Sequence, residues 1–377
     1  MNSTMGIRGF GRGVLTGCLV FACAAAATGQ EQQLNLADIR KNNFGTIDRQ
    51  RVEDWCRQRI RLIMASKEPL KDAPAFISEI TGHIQAADAT SAFKAGMVES
   101  MATAFAALYK PATDGKDPVA LGNVVLLAFL RRHDSPAATA CYKLAINDAF
   151  SGMRLVAAEG LLKSKLSPQD WEELLPALQK QASIETDPAT MDRLYRVLTM
   201  NGGPAVDRVV PVLSAILNAR LTRFEQKGEF PAVADANVTI WLAGKFAQIN
   251  NEQMKNDIVR GTARLLADAV YHYTKTQAGR EKREQLERVV LITEAQLKAM
   301  VRPSGGQTQP DVTSAMTEGG TERNAKMEKA MDAWIGTAEV AGILNGAPYN
   351  FQRGLGIQRP APTSGPASAP AATAPVR

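Results

Sequence analysis

The sequence of 377 residues has few of the residues that carry metal and redox chemistry. Its three histidines (His83, His133 and His272) lie far apart, without the HExxH or Cys/His spacing of zinc sites. The pair His133-Asp134 is better explained by a turn between two helices, with Asp134 capping the second. No Gly-x-Ser-x-Gly, P-loop or dinucleotide-binding glycine motif occurs. We therefore assign no catalytic, cofactor-binding or metal-binding residue, and the sequence favours a protein that is not an enzyme.

Cysteines are also scarce, since the chain has only four. Cys18 and Cys23 lie in the apolar N-terminal stretch, which leaves Cys56 and Cys141 for the folded part. Two thiols cannot form the disulfide framework of a small secreted domain. Because both lie on apolar helical stripes and free cysteine is often buried, we expect two core thiols. An oxidising compartment would also permit one bridge between them.

Aromatic residues make up only 6% of the chain, whereas hydrophobic residues make up 45%. Much alanine and leucine with few aromatic residues favours packed helices over a β-sandwich. The formal net charge of +6 is ordinary for solubility and does not predict a nucleic-acid partner. The composition thus predicts an all-α fold.

The N-terminal residues 1–29 have the order of a secretory signal peptide. Arg8 and Arg12 precede the apolar run 13–27, and small residues precede a cleavage point before Gln30. The run is shorter than the roughly 20 apolar residues that span a bilayer, which argues against a retained anchor. We expect cleavage and export of a bacterial protein to the periplasm or the medium.

Lipidation is the alternative form of export. The residues before Cys18 and before Cys23 resemble bacterial lipobox sequences, so the chain would be a lipoprotein anchored through one of them. Cleavage at Cys18 would leave a very short apolar helix, and Phe21 is bulky for the position before Cys23. No later stretch is long and apolar enough for an integral membrane span.

Residues 151–163 (SGMRLVAAEGLLK) are apolar around most of a helical wheel. A helix of this kind is covered on more than one side, so we expect it inside a stack of helices. Its charged residues include Glu159 and Lys163, which have the spacing of an ion pair on one exposed strip.

An internal repeat follows, because residues 173–178 (ELLPAL) match residues 208–213 (RVVPVL) at a shift of 35 residues (208 − 173). Pro176 and Pro211 occupy the same place and should kink two amphipathic helices. A period of this length with two helices per unit is typical of solenoids. These segments and residues 151–163 resemble HEAT repeats of the armadillo type, with about two units in residues 135–248. The resemblance implies an α-superhelix of antiparallel helix pairs that acts as an interaction scaffold, with no catalytic residues to carry over.

The remaining boundaries follow from breaker clusters and composition. A charged loop over residues 218–230 should interrupt the repeat, and Gly346 should end the last helix. The predicted divisions are a signal peptide (1–29), an N-terminal helical region (30–116), a HEAT-like region (117–301), a linker (302–324), a C-terminal helix (325–346) and a disordered Pro/Ala-rich tail (347–377).

Three classes of function remain open from the sequence. A non-enzymatic scaffold that binds a protein partner on its concave helical face is favoured, since stacked helix pairs create an extended surface. An enzyme whose site is assembled from separate helices would leave no motif. A structural envelope protein would use the tail as a spacer. A pocket with converging titratable groups would favour the enzyme, and exposed apolar side chains would favour the scaffold.

Overall fold

The computed structural model describes residues 34–112, 117–133, 135–200, 202–276, 278–301, 308–318 and 320–357. The chain divides into two units, residues 1–35 and 36–377, and all helices below belong to the second. The described residues form fifteen α-helices and short 3₁₀ turns without any strand, which confirms the all-α prediction. The predicted signal peptide and residues 358–377 of the predicted tail lie outside the described residues.

The helices are α1 (Leu36–Ile39), α2 (Thr46–Ala65), α3 (Pro69–Gln85), α4 (Ser91–Leu108), α5 (Pro118–Leu130), α6 (Pro136–Ala145), α7 (Ser151–Leu161), α8 (Pro168–Ile184), α9 (Pro188–Thr199), α10 (Val206–Lys227), α11 (Val233–Lys245), α12 (Glu252–Lys275), α13 (Arg280–Met300), α14 (Val312–Glu318) and α15 (Arg323–Ile335). In the described part of the chain, none of them is long and apolar enough to cross a membrane.

Alternate helices pack side by side in two layers. One layer runs through α3, α5, α7, α9, α11 and α13. The other contains α2, α4 and α6, then α8, α10 and α12, with α15 against α12. Successive helices joined by short connections run antiparallel, so each pair contributes one helix to each layer. The predicted solenoid of antiparallel helix pairs is confirmed.

Helix α7 lies inside this stack, as its sequence predicts. It packs against α5, α6 and α9, and Met153, Ala157, Ala158 and Leu161 are buried. The predicted pair of Glu159 with Lys163 does not form. Glu159 instead pairs with Arg131, after α5, and with Arg193 of α9 at 3.5 Å. Charges on neighbouring helices of the layer therefore outcompete the partner one turn away.

The two prolines of the internal repeat lie inside neighbouring helices. Pro176 is within α8 and Pro211 within α10, and these helices pack against each other. Helix α8 begins with a capping box, in which the Asp170 amide donates to the Ser167 hydroxyl at 3.2 Å and the Ser167 amide to the Asp170 carboxylate at 2.9 Å. The sequence thus identified two equivalent helices in the solenoid.

The charged loop predicted for residues 218–230 is wrong, because α10 continues to Lys227 and Gly228 ends it with φ 64°. The charges that suggested a loop are satisfied by tertiary partners. Arg223 pairs with Glu229 at 2.7 Å, and Glu225 pairs with Arg264 of α12 at 2.6 Å. The array therefore continues through this segment without an inserted loop.

The linker predicted for residues 302–324 contains a docked helix, α14. The buried carboxylate of Glu294 on α13 accepts from the amides of Val312 and Thr313, both at 2.7 Å. A carboxylate at a helix N-terminus satisfies amides that lack helical partners. This cap comes from a distant residue, which explains why residues 312–318 alone do not resemble a helix.

The C-terminal helix is shorter than the predicted range 325–346. Helix α15 ends at Ile335, and Gly336 leaves it with φ 77°. The following residues fold back onto the helices, with Leu344 and Phe351 buried. The start of the predicted disordered tail, residues 347–357, is thus partly packed and not an extended spacer.

A buried ladder of charges crosses the middle of the array. We define it as Arg154 of α7, Glu185 after α8, Arg220 of α10 and Asp235 of α11, which are at most 8% exposed. Arg154 donates through Nε and Nη2 to Glu185 at 2.8 and 2.6 Å. Arg220 donates to the Asp235 carboxylate and, at 2.8 Å, to the Glu185 carbonyl. The ladder therefore links three consecutive helix pairs.

Tyr195 of α9 completes the ladder, since its hydroxyl donates to Asp235 at 2.8 Å. Burial, followed by the Asp235 charge, raises the pKa of Tyr195 well above its usual value. Burial, the largest influence, acts to lower the pKa of Arg220, but Asp235, Tyr195 and Glu229 together raise it above its usual value. Both groups therefore keep their protons, and the ladder is a fixed structural feature near neutral pH.

Cys56 and Cys141 are free and buried, as expected for core thiols. Cys141 donates to the carbonyl of Ala102 at 3.2 Å. Burial raises the pKa of Cys141 to about 12 and raises the pKa of Cys56 above its usual value. Since only the thiolate is a strong nucleophile, burial makes both cysteines poor nucleophiles.

Candidate functional site

A cavity of about 890 Å³ lies at the C-terminal end of the array, and we call it the C-terminal pocket. Its three walls are one face of α15, the segment that follows this helix, and the residues that precede α14. The wall residues are Thr308, Pro310, Lys329, Asp332, Ala333, Thr337, Val340, Ala341, Gly342, Ile343, Asn345, Gly346, Ala347 and Tyr349.

The first wall exists because α15 is amphipathic. Asp332 and Ala333 follow Lys329 by three and four residues, so the three side chains share a face of the helix. The opposite face carries Met331 and Trp334, which are buried. Helix α15 packs against α12 of the array. The buried face thus fixes the direction in which the pocket face points.

The second wall is the segment of residues 336–351, which we call the C-terminal strap. The Gly342 amide donates to the Asn345 side chain at 2.6 Å, and the Asn345 side chain donates to the Phe351 carbonyl at 3.0 Å. The Thr337 amide donates to the Val340 carbonyl at 2.8 Å. These bonds satisfy backbone groups that no helix or strand pairs, so the strap is held in one shape.

The third wall is anchored to the end of α13. The Gln309 side chain donates to the carbonyls of Lys298 and Val301 at 3.1 and 2.7 Å, and this places Thr308 and Pro310 at the pocket. The carbonyls at a helix end have no partners within the helix, and the side-chain amide of Gln309 satisfies these two. The first and third walls are therefore fixed by contacts with other helices, and the second by hydrogen bonds within the strap.

The C-terminal pocket has few side chains that could take part in catalysis. Among the described lining residues, only Lys329 and Asp332 have charged side chains, and both lie on α15. Burial, followed by the Glu328 charge, raises the pKa of Asp332. The part of the lining that the structure describes contains no histidine, cysteine or serine, and its Val340 is 66% exposed. The arrangement suits an apolar ligand better than bond-making catalysis.

Smaller grooves separate helices of the even-numbered layer. One of about 400 Å³ lies between α6 and α8, where Lys143 bridges to Asp170 at 2.8 Å and to Glu173. Leu144 is 45% exposed beside it. Another of about 340 Å³ lies between α10 and α12. Their linings contain no histidine, cysteine or convergent set of acids.

The three histidines have unrelated surroundings. His83 contacts Arg40 at 3.4 Å, His133 lies 4.7 Å from the Phe129 ring, and His272 is buried 4.7 Å from the Phe230 ring. Among the described residues, no group of three or more His, Cys, Asp or Glu side chains could hold a metal ion. Asp134, the expected cap of α6, lies outside the described residues, and Ser135 occupies the cap position.

Sequence patterns did not indicate the C-terminal pocket. Its walls come from segments assigned to a linker and to the last turns of a longer helix. The available signal is the succession of Gly336, Gly342 and Gly346, which breaks a helical pattern early. Searches against known protein families, curated proteins and solved structures find no match for this chain.

Proposed function

We propose that this protein is an exported, non-enzymatic scaffold whose C-terminal pocket binds an apolar segment of a partner protein. The observation that carries this proposal is the supported cavity of about 890 Å³ with apolar walls. Ligand sites in proteins have volumes of roughly 300–1,000 Å³, apolar linings and few polar groups. The pocket has each of these properties.

The resemblance to HEAT repeats supports a scaffold role, because stacked helix pairs present long surfaces with fixed spacing. The described lining of the pocket contains neither a nucleophile with a base nor a cluster of metal ligands, which weakens the enzyme alternative. The C-terminal pocket lies at the end of the array and not along its length. The proposal therefore differs from the expected contact along a concave face.

Filling the pocket should weaken partner binding. Ala333 is exposed on α15 and lines the cavity, so Ala333→Trp adds bulk to the pocket without entering the core. We expect peptides selected from an apolar peptide library on the full chain to bind the variant at least about tenfold more weakly, a loss of roughly 1.4 kcal/mol. Fluorescence anisotropy with labelled peptides measures this change.

Ala75→Trp is the matched control, because Ala75 is an exposed residue of α3 outside the pocket. Its affinity for the same peptides should equal that of the unmodified chain. The proposal fails if the library yields no peptide, or if the two tryptophan variants bind equally well.

Export is the second part of the proposal and rests on residues 1–29. Expression of the full chain in a bacterial host should give exported protein that begins within about two residues of Gln30, since such cleavage points are uncertain by this amount. Intact-mass measurement reads the new N-terminus. Uncleaved protein contradicts export, and a lipid-modified Cys18 or Cys23 supports the lipoprotein alternative instead.

A further inference from the structure

A second cavity, of about 180 Å³, lies where the C-terminal ends of α5 and α7 meet the start of α6. Arg131, Arg132 and His133 approach it from the α5 end, and Lys163 from the α7 end. Ser135, which precedes α6, and the Tyr142 ring also line the cavity. We call this space the basic cavity.

The described residues that line the basic cavity have an excess of positive charge. Arg131 pairs with Glu159, so its charge is largely neutralised. Arg132 and Lys163 are exposed and have no ion-pair partner among the described residues. Burial, followed by the Arg132 charge, lowers the pKa of His133, which is therefore mainly neutral near pH 7 and able both to donate and to accept.

Ser135 gives an independent indication of a ligand-binding site. It is only 7% exposed, and its hydroxyl oxygen is buried without a hydrogen-bond partner. It also stands at the N-cap of α6 but makes no capping bond. Thr90, Ser167 and Asn251 all make this bond at the starts of their helices. A buried hydroxyl is normally satisfied, so a ligand in the cavity would supply the partner.

Helix ends account for only part of this arrangement. Cations near the C-terminal ends of α5 and α7 complement the exposed carbonyls there. That effect explains why basic residues occur at these positions. It does not explain the unpartnered hydroxyl of Ser135 or the uncapped start of α6, and amides at a helix start favour an anion.

We propose that the basic cavity binds a phosphate-type oxyanion, either free phosphate or a small phosphomonoester. Arg132 and Lys163 supply charge, and the Ser135 hydroxyl supplies a hydrogen bond. A volume of about 180 Å³ admits one tetrahedral group and little more. Charge-assisted hydrogen bonds from such groups are stronger than neutral ones. This site is separate from the C-terminal pocket, so it does not depend on the proposed function.

Isothermal titration calorimetry on the full chain with inorganic phosphate tests the site. We expect a dissociation constant on the order of millimolar and at least about tenfold weaker binding for Arg132→Gln/Lys163→Gln. Lys165→Gln is the matched control, because Lys165 is exposed nearby but does not line the cavity, and it should change affinity less than about twofold. Titration with glycerol phosphate in parallel shows whether an ester is preferred to the free ion.

Ser135→Ala separates a ligand contact from a structural role. Its hydroxyl makes no bond in the unligated protein, so the melting temperature without phosphate should not fall, whereas phosphate affinity should drop severalfold. Asp134→Asn should strengthen binding, because it removes a negative charge next to Ser135 in the sequence. The absence of phosphate binding overturns the proposal, as does an equal effect of Lys165→Gln or a lowered melting temperature of Ser135→Ala.

Discussion

Arg220→Met should lower the free energy of unfolding by about 3–5 kcal/mol, because it removes one member of a buried ion pair. Arg220 is 3% exposed and Asp235 is fully buried, so the variant leaves the Asp235 carboxylate without its cation. The Glu185 carbonyl also loses its donor. The Tyr195 hydroxyl and the Ala232 amide still donate to this carboxylate, but neutral donors compensate for its lost hydration only in part. Urea unfolding followed by circular dichroism measures the loss.

Arg208→Met is the matched control on the same helix. Arg208 is exposed and lies 3.7 Å from Glu172 in a surface pair, so its replacement should cost less than about 1 kcal/mol. Equal losses for the two variants would show that the buried ladder has no special role in stability.

Replacing both partners tests the physical reason for the loss. Arg220→Met/Asp235→Leu removes the arginine and the stranded carboxylate together, and it should recover part of the stability that Arg220→Met loses. Recovery will be incomplete because the Tyr195 hydroxyl loses its acceptor. If the double variant is less stable than the single one, the unpaired charge is not the source of the loss.

Gly336→Ala should disrupt the C-terminal strap and with it the pocket. Gly336 has φ 77° and ψ 163°, a region that is essentially restricted to glycine and costs a residue with a Cβ roughly 1–3 kcal/mol. Its Cβ would also overlap the Asn345 side chain and lie 2.9 Å from the Gly342 amide and the Val340 carbonyl. Backbone atoms at this distance must move, so we expect a total loss of about 3 kcal/mol or more in the strap.

Gly320→Ala separates the two contributions. Gly320 has φ 80°, but a Cβ there meets no atom within 4 Å, so only the cost of the dihedral angle applies. Hydrogen exchange of the strap amides should accelerate in Gly336→Ala and stay unchanged in Gly320→Ala, and peptide binding in the pocket should follow the same order. Unchanged strap exchange in Gly336→Ala would contradict the rigid strap described above.

The behaviour of charged residues shows where sequence patterns fail. A helical wheel treats Arg154, Arg220 and Glu225 as interruptions of an apolar face or as signs of a loop. The structure buries each of them against a partner 15 to 39 residues away in the sequence. No local pattern distinguishes an exposed charge from one that a distant partner neutralises, and the predicted loop at 218–230 is the result.

Local sequence alone determined the all-α class and the arrangement in helix pairs, because these depend on composition, apolar periodicity and breakers within a few residues. It also identified the buried position of α7, the two core thiols and the repeat at Pro176 and Pro211. The tertiary structure alone decided the partners of the charges, the docking of α14 onto Glu294 and the fold of the strap. Those features, and both cavities, depend on which residues meet after the chain has packed.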